Sequence, residues 1–275
     1  MSNGLQNFNI SILTATFNRK DKLPNLIDSS IKLINKGIAK ELVVVDDAST
    51  DNTFEMLQQK YSDVIASGIL VVHRLQKNIG VTGARNIGVT LSSGDRIIII
   101  DSDDVFLVDS GSSILLELTE FKDFDIIFFR CCDVDHKLIG HRASGYEINI
   151  NEFYNKGTPG ECMPVIKKSV LLTYPFFSEL RGGEGIAYIR MLHNGCRAYV
   201  SDKIARVYCT IGSDRLCDKD MIKKRSQYLF KNHYMKLKYM KYSTVQTFFG
   251  LIIRLVYYSY LSGLNKITTL FDGKY

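Results

Sequence analysis

The sequence predicts an α/β fold: a doubly wound, mostly parallel sheet followed by a helical, basic and aromatic C-terminal extension. Three observations carry this. Apolar strand-like runs alternate with helix-periodic segments through the first hundred residues. The run Ile97–Ile100 has the four consecutive isoleucines of a strand buried on both faces, and it breaks into Asp101-Ser102-Asp103-Asp104. The stretch 219–241 carries eight Lys or Arg with aromatics between them and Asp220 as its only acid.

In chain order, Asn9–Thr16 reads as the first strand, ending at Phe17-Asn18-Arg19. Over 21–36, Leu23, Leu26, Ile27, Ile31 and Ile34 recur at helical spacing, and Gly37 closes the helix. Glu41–Asp47 is a second strand running into paired aspartates, and Ser49, Thr50 and Asp51 offer cap oxygens for a helix to about Lys60. Gly68–Arg74 is a third strand, followed by a glycine-punctuated loop and helix over 77–91; the fourth strand is 97–101. Asp125–Cys132 is a further apolar strand, and Gly157–Pro164 leads into a short one. Leu180–Gly185 is expected to be a flexible acidic loop opening a helix over 186–193, with short strands at 198–200 and 205–210. The expected organisation is a catalytic domain over 1–215, divided near residue 104 into a nucleotide-binding and an acceptor half, and an extension over 216–275.

Composition narrows the class. With 275 residues and 45% hydrophobic content the chain can bury one large α/β domain with an appendage. Residues 1–10 lack the basic and apolar regions of a signal peptide. The cysteines, Cys131, Cys132, Cys162, Cys196, Cys209 and Cys217, show no disulfide framework, so a reduced cytoplasmic setting is expected. The net charge of +6 is concentrated in the tail, whereas 101–135 is acidic, so the tail is expected to meet an anionic surface.

The chemistry gathers at strand ends. Ligands of open α/β sheets bind at the carboxyl edge. Crowded carboxylates there resist burial unless a cation or hydrogen bonds compensate. Hard oxygen ligands suit Mg²⁺ or Mn²⁺ shared with substrate phosphates, which makes 101–104 a candidate metal–diphosphate site. The residues alone leave open that Asp103 or Asp104 caps the next helix. Asp47, at a second strand end, could accept hydrogen bonds from a base or ribose. Lys77–Gly88 is neither Gly-x-Gly-x-x-Gly nor a Walker sequence. Arg85 within it could reach a phosphate, or could sit in an internal ion pair.

Taken together, Ser11–Arg19, Val45–Thr53, Asn78-x-Gly80 with Ala84-Arg85-Asn86-x-Gly88, and Asp101–Asp104 fall in the order and spacing of family 2 glycosyltransferases. From about Asn9 to Tyr208 the chain resembles their GT-A fold. That resemblance implies an inverting transfer from a nucleotide-activated sugar with a divalent metal. It implies a nucleobase pocket lined by Ala15 and Phe17, with Asp47 on the base, usually uracil. It sets Asp101 at the ribose, with Asn18, Arg85 and Ser102 among the residues that bind the nucleotide-sugar. Asp103 would hold the metal, and the motif can be registered so that Asp104 shares that role. Ala15 stands where proline is common and Ala48 where glycine is. Relatives commonly carry Glu-Asp at the start of a helix with an arginine six residues after the Asp. Here Gly183-Glu184 precedes Arg190 at that spacing, which makes Glu184 the candidate general base.

The tail continues into Thr244–Ser262, an apolar stretch with Arg254 near its centre, where a charge is costly in a membrane. A helix lying in the cytoplasmic interface and a hairpin docked on the catalytic domain are the two readings. The expected activity is an inverting glycosyltransferase building a lipid-linked surface glycan at the inner face of the cell membrane. The alternatives are a degenerate membrane-attached scaffold and a sugar-phosphate nucleotidyltransferase. The latter needs a glycine-rich phosphate loop after the first strand, and Thr14–Lys20 contains no glycine.

Overall fold

The computed structural model describes residues 8–107, 109–141, 145–208 and 219–263. The expected boundary after residue 215, the end of the strand expected to reach Thr210, and Cys209 and Cys217 lie outside them. The chain runs β1 (Ile10–Thr16), α1 (Leu23–Asn35), β2 (Glu41–Asp46), α2 (Thr53–Lys60), α3 (Ser62–Ala66), β3 (Leu70–Arg74), α4 (Val81–Leu91) and β4 (Arg96–Ile99). It continues through β5 (Val105–Phe106), α5 (Ser110–Glu120), β6 (Ile126–Cys132), β7 (Tyr146–Ile148), α6 (Ile150–Lys156), β8 (Cys162–Lys167) and α7 (Lys168–Thr173). A 3₁₀ turn at Ser178–Leu180 leads into α8 (Gly185–His193), and β9 (Ala198–Val207) follows. The tail forms α9 (Lys219–Lys224), α10 (Ser226–Lys236), a 3₁₀ segment at Leu237–Tyr242 and α11 (Val245–Leu261).

All of these strands join one sheet, in the order β3-β2-β1-β4-β8-β6-β9-β5, with β7 also paired to β9. The first four pair in parallel. β8 inserts antiparallel to β4 and β6, and β5 and β7 lie antiparallel to β9, so the second half of the sheet is mixed. The two short strands expected at 198–200 and 205–210 are one continuous strand, β9. Its polar middle, Asp202-Lys203, is solvated while the strand carries on.

Alternation along the strands divides the core into two layers, because successive side chains point to opposite faces. Ile10, Ile12, Leu42, Val44 and Ile98 pack on one side with Leu23, Leu26 and Ile27 of α1 and Ile114 and Leu118 of α5. Leu13, Val43, Val45, Ile97 and Ile99 face the other way, toward α4 and α8. Thr16 pairs with Asp46 and Leu13 with Ile99. The carboxyl ends of β1 and β2 are therefore level, and the same register carried two residues on sets Asp101 level with Ala15.

The tail docks on the α8 side, where Met235, Tyr239 and Tyr242 pack against the second layer. The Tyr154 hydroxyl donates to the Lys236 carbonyl at 3.2 Å, and Asn155 bridges Tyr242 O and Thr244 N at 2.8 Å each. α11 folds back on α10, burying Leu251, Leu255 and Ser259.

At the opposite sheet edge Glu41 is buried and accepts from Ser11 Oγ (2.6 Å), Ser93 N (2.6 Å) and Ser93 Oγ (2.7 Å). Burial pushes its carboxyl up, but these donors more than reverse that and hold it below the usual glutamate range. Glu41→Gln is expected to cost about 2 kcal/mol at neutral pH. Because the folded-state value is depressed, the difference should be full above the ordinary glutamate range and vanish as pH falls through the folded value. Urea melts of both proteins at descending pH check this; a pH-independent difference would contradict it.

Candidate active site

The loops after β1 and β2 are stitched together by main-chain turns that polar side chains stabilise. Asn18 takes a left-handed conformation, its amide donates to Ser49 Oγ at 2.9 Å, and its Oδ1 accepts from Thr50 N at 2.8 Å. Asn18, expected among the residues that bind the nucleotide-sugar, thus has its side-chain oxygen engaged within the protein. Ala15 is half-buried, and Phe17, 43% exposed, stands clear of the end of β1.

Asp47 is buried, with both carboxylate oxygens on the loop before α4: Ile79 N donates to Oδ1 at 2.7 Å and Gly80 N to Oδ2 at 2.8 Å. Burial raises its pKa, and the two amide bonds offset that only in part. Each oxygen keeps a further lone pair, so Asp47 can still accept from a ligand while fixing the loop. Gly80 is required there. Its φ is +87°, and a Cβ would lie 2.8 Å from Arg181 Cβ.

Arg85 resolves the choice left open by the sequence in favour of an internal ion pair. It is 6% exposed on α4, with Nη1 2.6 Å from Glu184 Oε1 and Nη2 2.5 Å from Asp101 Oδ1. Its guanidinium is thus committed to two carboxylates in this structure. Asp101, 42% exposed, also meets Arg206 of β9 at 3.5 Å, and the same Arg206 Nη1 lies 3.1 Å from Asp104 Oδ2. Burial acts to raise the Asp101 carboxyl, but Arg85 and then Arg206 overcome it and hold it below the usual range. Five charged groups thus alternate in sign: Glu184, Arg85, Asp101, Arg206, Asp104.

Asp104 is 1% exposed inside this row, with its carboxylate on Arg206. Ser102 is buried as well. Asp103 is half-exposed, and no described residue donates to its carboxylate or pairs with it. Among the described residues no three His, Cys, Asp or Glu side chains converge as a metal cage. A divalent ion held by Asp103 would therefore take its other ligands from phosphate and water, as Mg²⁺ does.

Glu184 is the N-cap residue of α8, yet its side chain caps nothing and crosses to Arg85. Arg190 lies away from the site, on the Pro175 carbonyl and 4.3 Å from the Phe177 ring centroid. The loop expected to be flexible is instead braced. Arg181 bonds both the Asn78 side chain and, at 3.4 Å, its carbonyl.

Arg206 and Arg181 were not singled out by the sequence. A charge at an inward position of β9, flanked by Ala205 and Val207, is the signal that marks Arg206. Arg181 carried none beyond its place beside the glycines.

The sheet order is that of the GT-A fold. The chain belongs to glycosyl transferase family 2, whose model matches residues 11–173. Dolichyl-phosphate beta-glucosyltransferase of Dictyostelium discoideum is 28% identical over 88 residues, 30% of this chain and 27% of that protein. The match thus spans about a quarter of that relative's length. Among solved structures, S. aureus TarS 1–349 superposes with a TM-score of 0.63 at 18% identity, covering 95% of this chain and 76% of that one. The mannosyltransferase PcManGT from Pyrobaculum calidifontis, in complex with GDP-Man and Mn²⁺, gives 0.62 at 14% identity, over 92% and 70%.

Removing a guanidinium from between two acids leaves uncompensated charge. A fully buried pair would lose about 3–5 kcal/mol; with the acids partly solvated, Arg85→Met should lose about 1–3 kcal/mol. Urea denaturation of Arg85→Met, Glu184→Gln and the double variant should show coupling of about 1 kcal/mol. Strict additivity would mean that the pair contributes nothing.

Proposed function

We propose that this protein transfers a sugar, with inversion, from a nucleoside diphosphate to a hydroxyl of a lipid-linked glycan, with Glu184 as general base. The observation that carries this reading is the row of charges that joins Glu184 through Arg85 to Asp101. It links an acid at a helix N-terminus to the motif at the end of β4 across 99 and 16 residues of sequence.

In the proposed reaction Glu184 accepts the proton of the acceptor hydroxyl as its oxygen attacks the anomeric carbon. The carbon–oxygen bond to the diphosphate breaks on the opposite face, and the nucleoside diphosphate leaves with the electron pair. Arg85 engages Glu184 through Oε1, and no described residue donates to Oε2, which is the oxygen available to the hydroxyl. Asp47 and the 78–80 loop support the base end of the donor, Ala15 and Phe17 line its pocket, and Asp101 with Ser102 serves the ribose. Asp103 would hold a Mn²⁺ or Mg²⁺ ion, which supplies charge neutralisation of the departing diphosphate. TarS is described with UDP-GlcNAc and PcManGT with GDP-Man. The TarS complex and the family's habit make UDP-sugars the first donors to test.

The tail supports a peripheral location on the inner face of the cell membrane. No helix among the described residues is long and apolar enough to cross a membrane. Beyond the face buried on α10, α11 turns out Val245 (74% exposed), Phe249 (61%), Ile253 (68%) and Tyr260 (83%), at the spacing of one helical stripe. Lys231, Lys238, Lys241 and Arg254 are exposed on the same hairpin. An apolar stripe bordered by cations suits an anionic lipid surface.

Nucleotide-sugars screened with Mn²⁺ should yield release of one nucleoside diphosphate. With that donor, Asp103→Asn should abolish turnover at any metal concentration, and Glu184→Gln should lose about 10²–10⁴ in transfer while still binding donor. A Glu184→Gln enzyme within tenfold of wild type would remove the base assignment. In vesicle sedimentation at low salt, the full chain should co-sediment with anionic but not neutral vesicles, and Phe249→Glu/Ile253→Glu should remain in solution. Equal sedimentation of that variant would overturn the membrane reading.

A further inference from the structure

The tail also touches the other side of the proposed active site. Arg225, the N-cap residue of α10, and Tyr228 and Asn232 within it recur at intervals of three and four, so they lie along one side of the helix. That face lies on the turn 181–183, immediately before Glu184. Arg225 Nη2 donates to the Arg181 carbonyl at 3.3 Å, and the Arg181 guanidinium stands 5.9 Å from the Tyr228 ring centroid. A Cβ at Gly182 would lie 2.5 Å from Arg225 Nη2, and one at Gly183 would overlap the Asn232 carboxamide. Both glycines have positive φ, +141° and +79°, so the turn approaches the helix as only glycine backbone can.

We propose that Arg225 and Asn232 are positioning residues for catalysis: they clamp the 181–183 turn from the tail side and thereby hold Glu184 against Arg85. The inference rests on Glu184 being the base. The turn is gripped from two directions. Asn78 holds Arg181 from the loop that Asp47 fixes, and α10 holds the main chain from the tail. Without the second grip the turn keeps its side-chain link to Asn78 and local main-chain bonds at its ends, Arg181 N to Ser178 O and Ile186 N to Gly183 O, and two consecutive glycines between them give it many conformations. Arg225 also senses the charge it serves. Burial pushes its guanidinium down, and the Glu184 carboxylate works against that. The C-terminal hairpin is on this account part of the active site as well as a docking element.

The test uses full-length protein with a soluble acceptor, so that membrane binding does not enter. Arg225→Ala/Asn232→Ala should lower kcat about 10–100-fold, the range expected for a misplaced reacting group, with donor KM within about threefold. Arg225→Lys should recover much of the loss of Arg225→Ala, since a cation still reaches the Arg181 carbonyl. Independently of activity, amide hydrogen exchange over 181–187 should quicken by about tenfold or more in the double variant, while exchange in β1 and β2 stays unchanged. Unchanged exchange in the turn, or unchanged kcat despite faster exchange, would overturn the proposal. An active Glu184→Gln enzyme would instead overturn the base assignment, a separate result.

Discussion

Two arginines organise this site. Arg85 comes from a helix in the first half of the chain and Arg206 from a strand in the second, and together they compensate Glu184, Asp101 and Asp104. Carboxylates gathered at one sheet edge repel one another and lose hydration, so the acid-rich edge is tenable only with cations interleaved. Arginine suits the task better than lysine because its planar fork presents several donors in fixed directions and can serve two carboxylates at once. Arg206 goes further. Besides the two aspartates it reaches Glu161 at 3.7 Å, and its Nε lies 3.1 Å from Cys131 Sγ. It ties together β4, β6, β8 and β9 around the site.

The same network decides which acid is left without a partner among the described residues. Asp104 is enclosed with Arg206 and Asp101 is bracketed by both arginines, whereas Asp103 points no bond at any described residue. Pairing its neighbours with arginines lowers the local negative potential around this exposed carboxylate in a crowded loop. Four aspartates and serines written in sequence as Asp101-Ser102-Asp103-Asp104 are thus four different environments. Only the partners contributed from β9 and α4 distinguish them.

That is also where the sequence ceased to be legible. β1 to β4 could be read because their apolar runs are buried on one or both faces and each ends in polar turn residues. The structure shifts their limits by a residue or two. β5 and β7 have two and three residues and no periodicity to detect, and they exist only through their pairing with β9. Position 85 showed a cation and a loop but not its partners, which lie 16 and 99 residues away. Asp101 and Glu184 were both legible as candidates, one from the strand end and one from the helix start. Their union through Arg85 required the fold. The loop before Glu184 looked flexible because glycine lowers the barrier to motion. In the structure those glycines instead allow close packing, which composition cannot tell from freedom.

The tail joins these themes. Its basic and aromatic composition suggested either a membrane helix or a docked hairpin, and the structure has the hairpin docked while leaving one stripe uncovered. One side of α10 meets the α/β core, α11 covers another, and the outer stripe of α11 faces solvent. Gly183 stands where the family's pattern commonly has glutamate, and the geometry supplies a physical reason. A Cβ at position 183 would overlap the Asn232 carboxamide, so a side chain there requires Asn232 to turn aside. Glycine at 183 lets α10 pack closely on the turn, and the helix in return restrains a turn that two glycines would otherwise loosen. The departure from the family motif and the docked tail thus meet at one contact, between the loop and the helix that covers it.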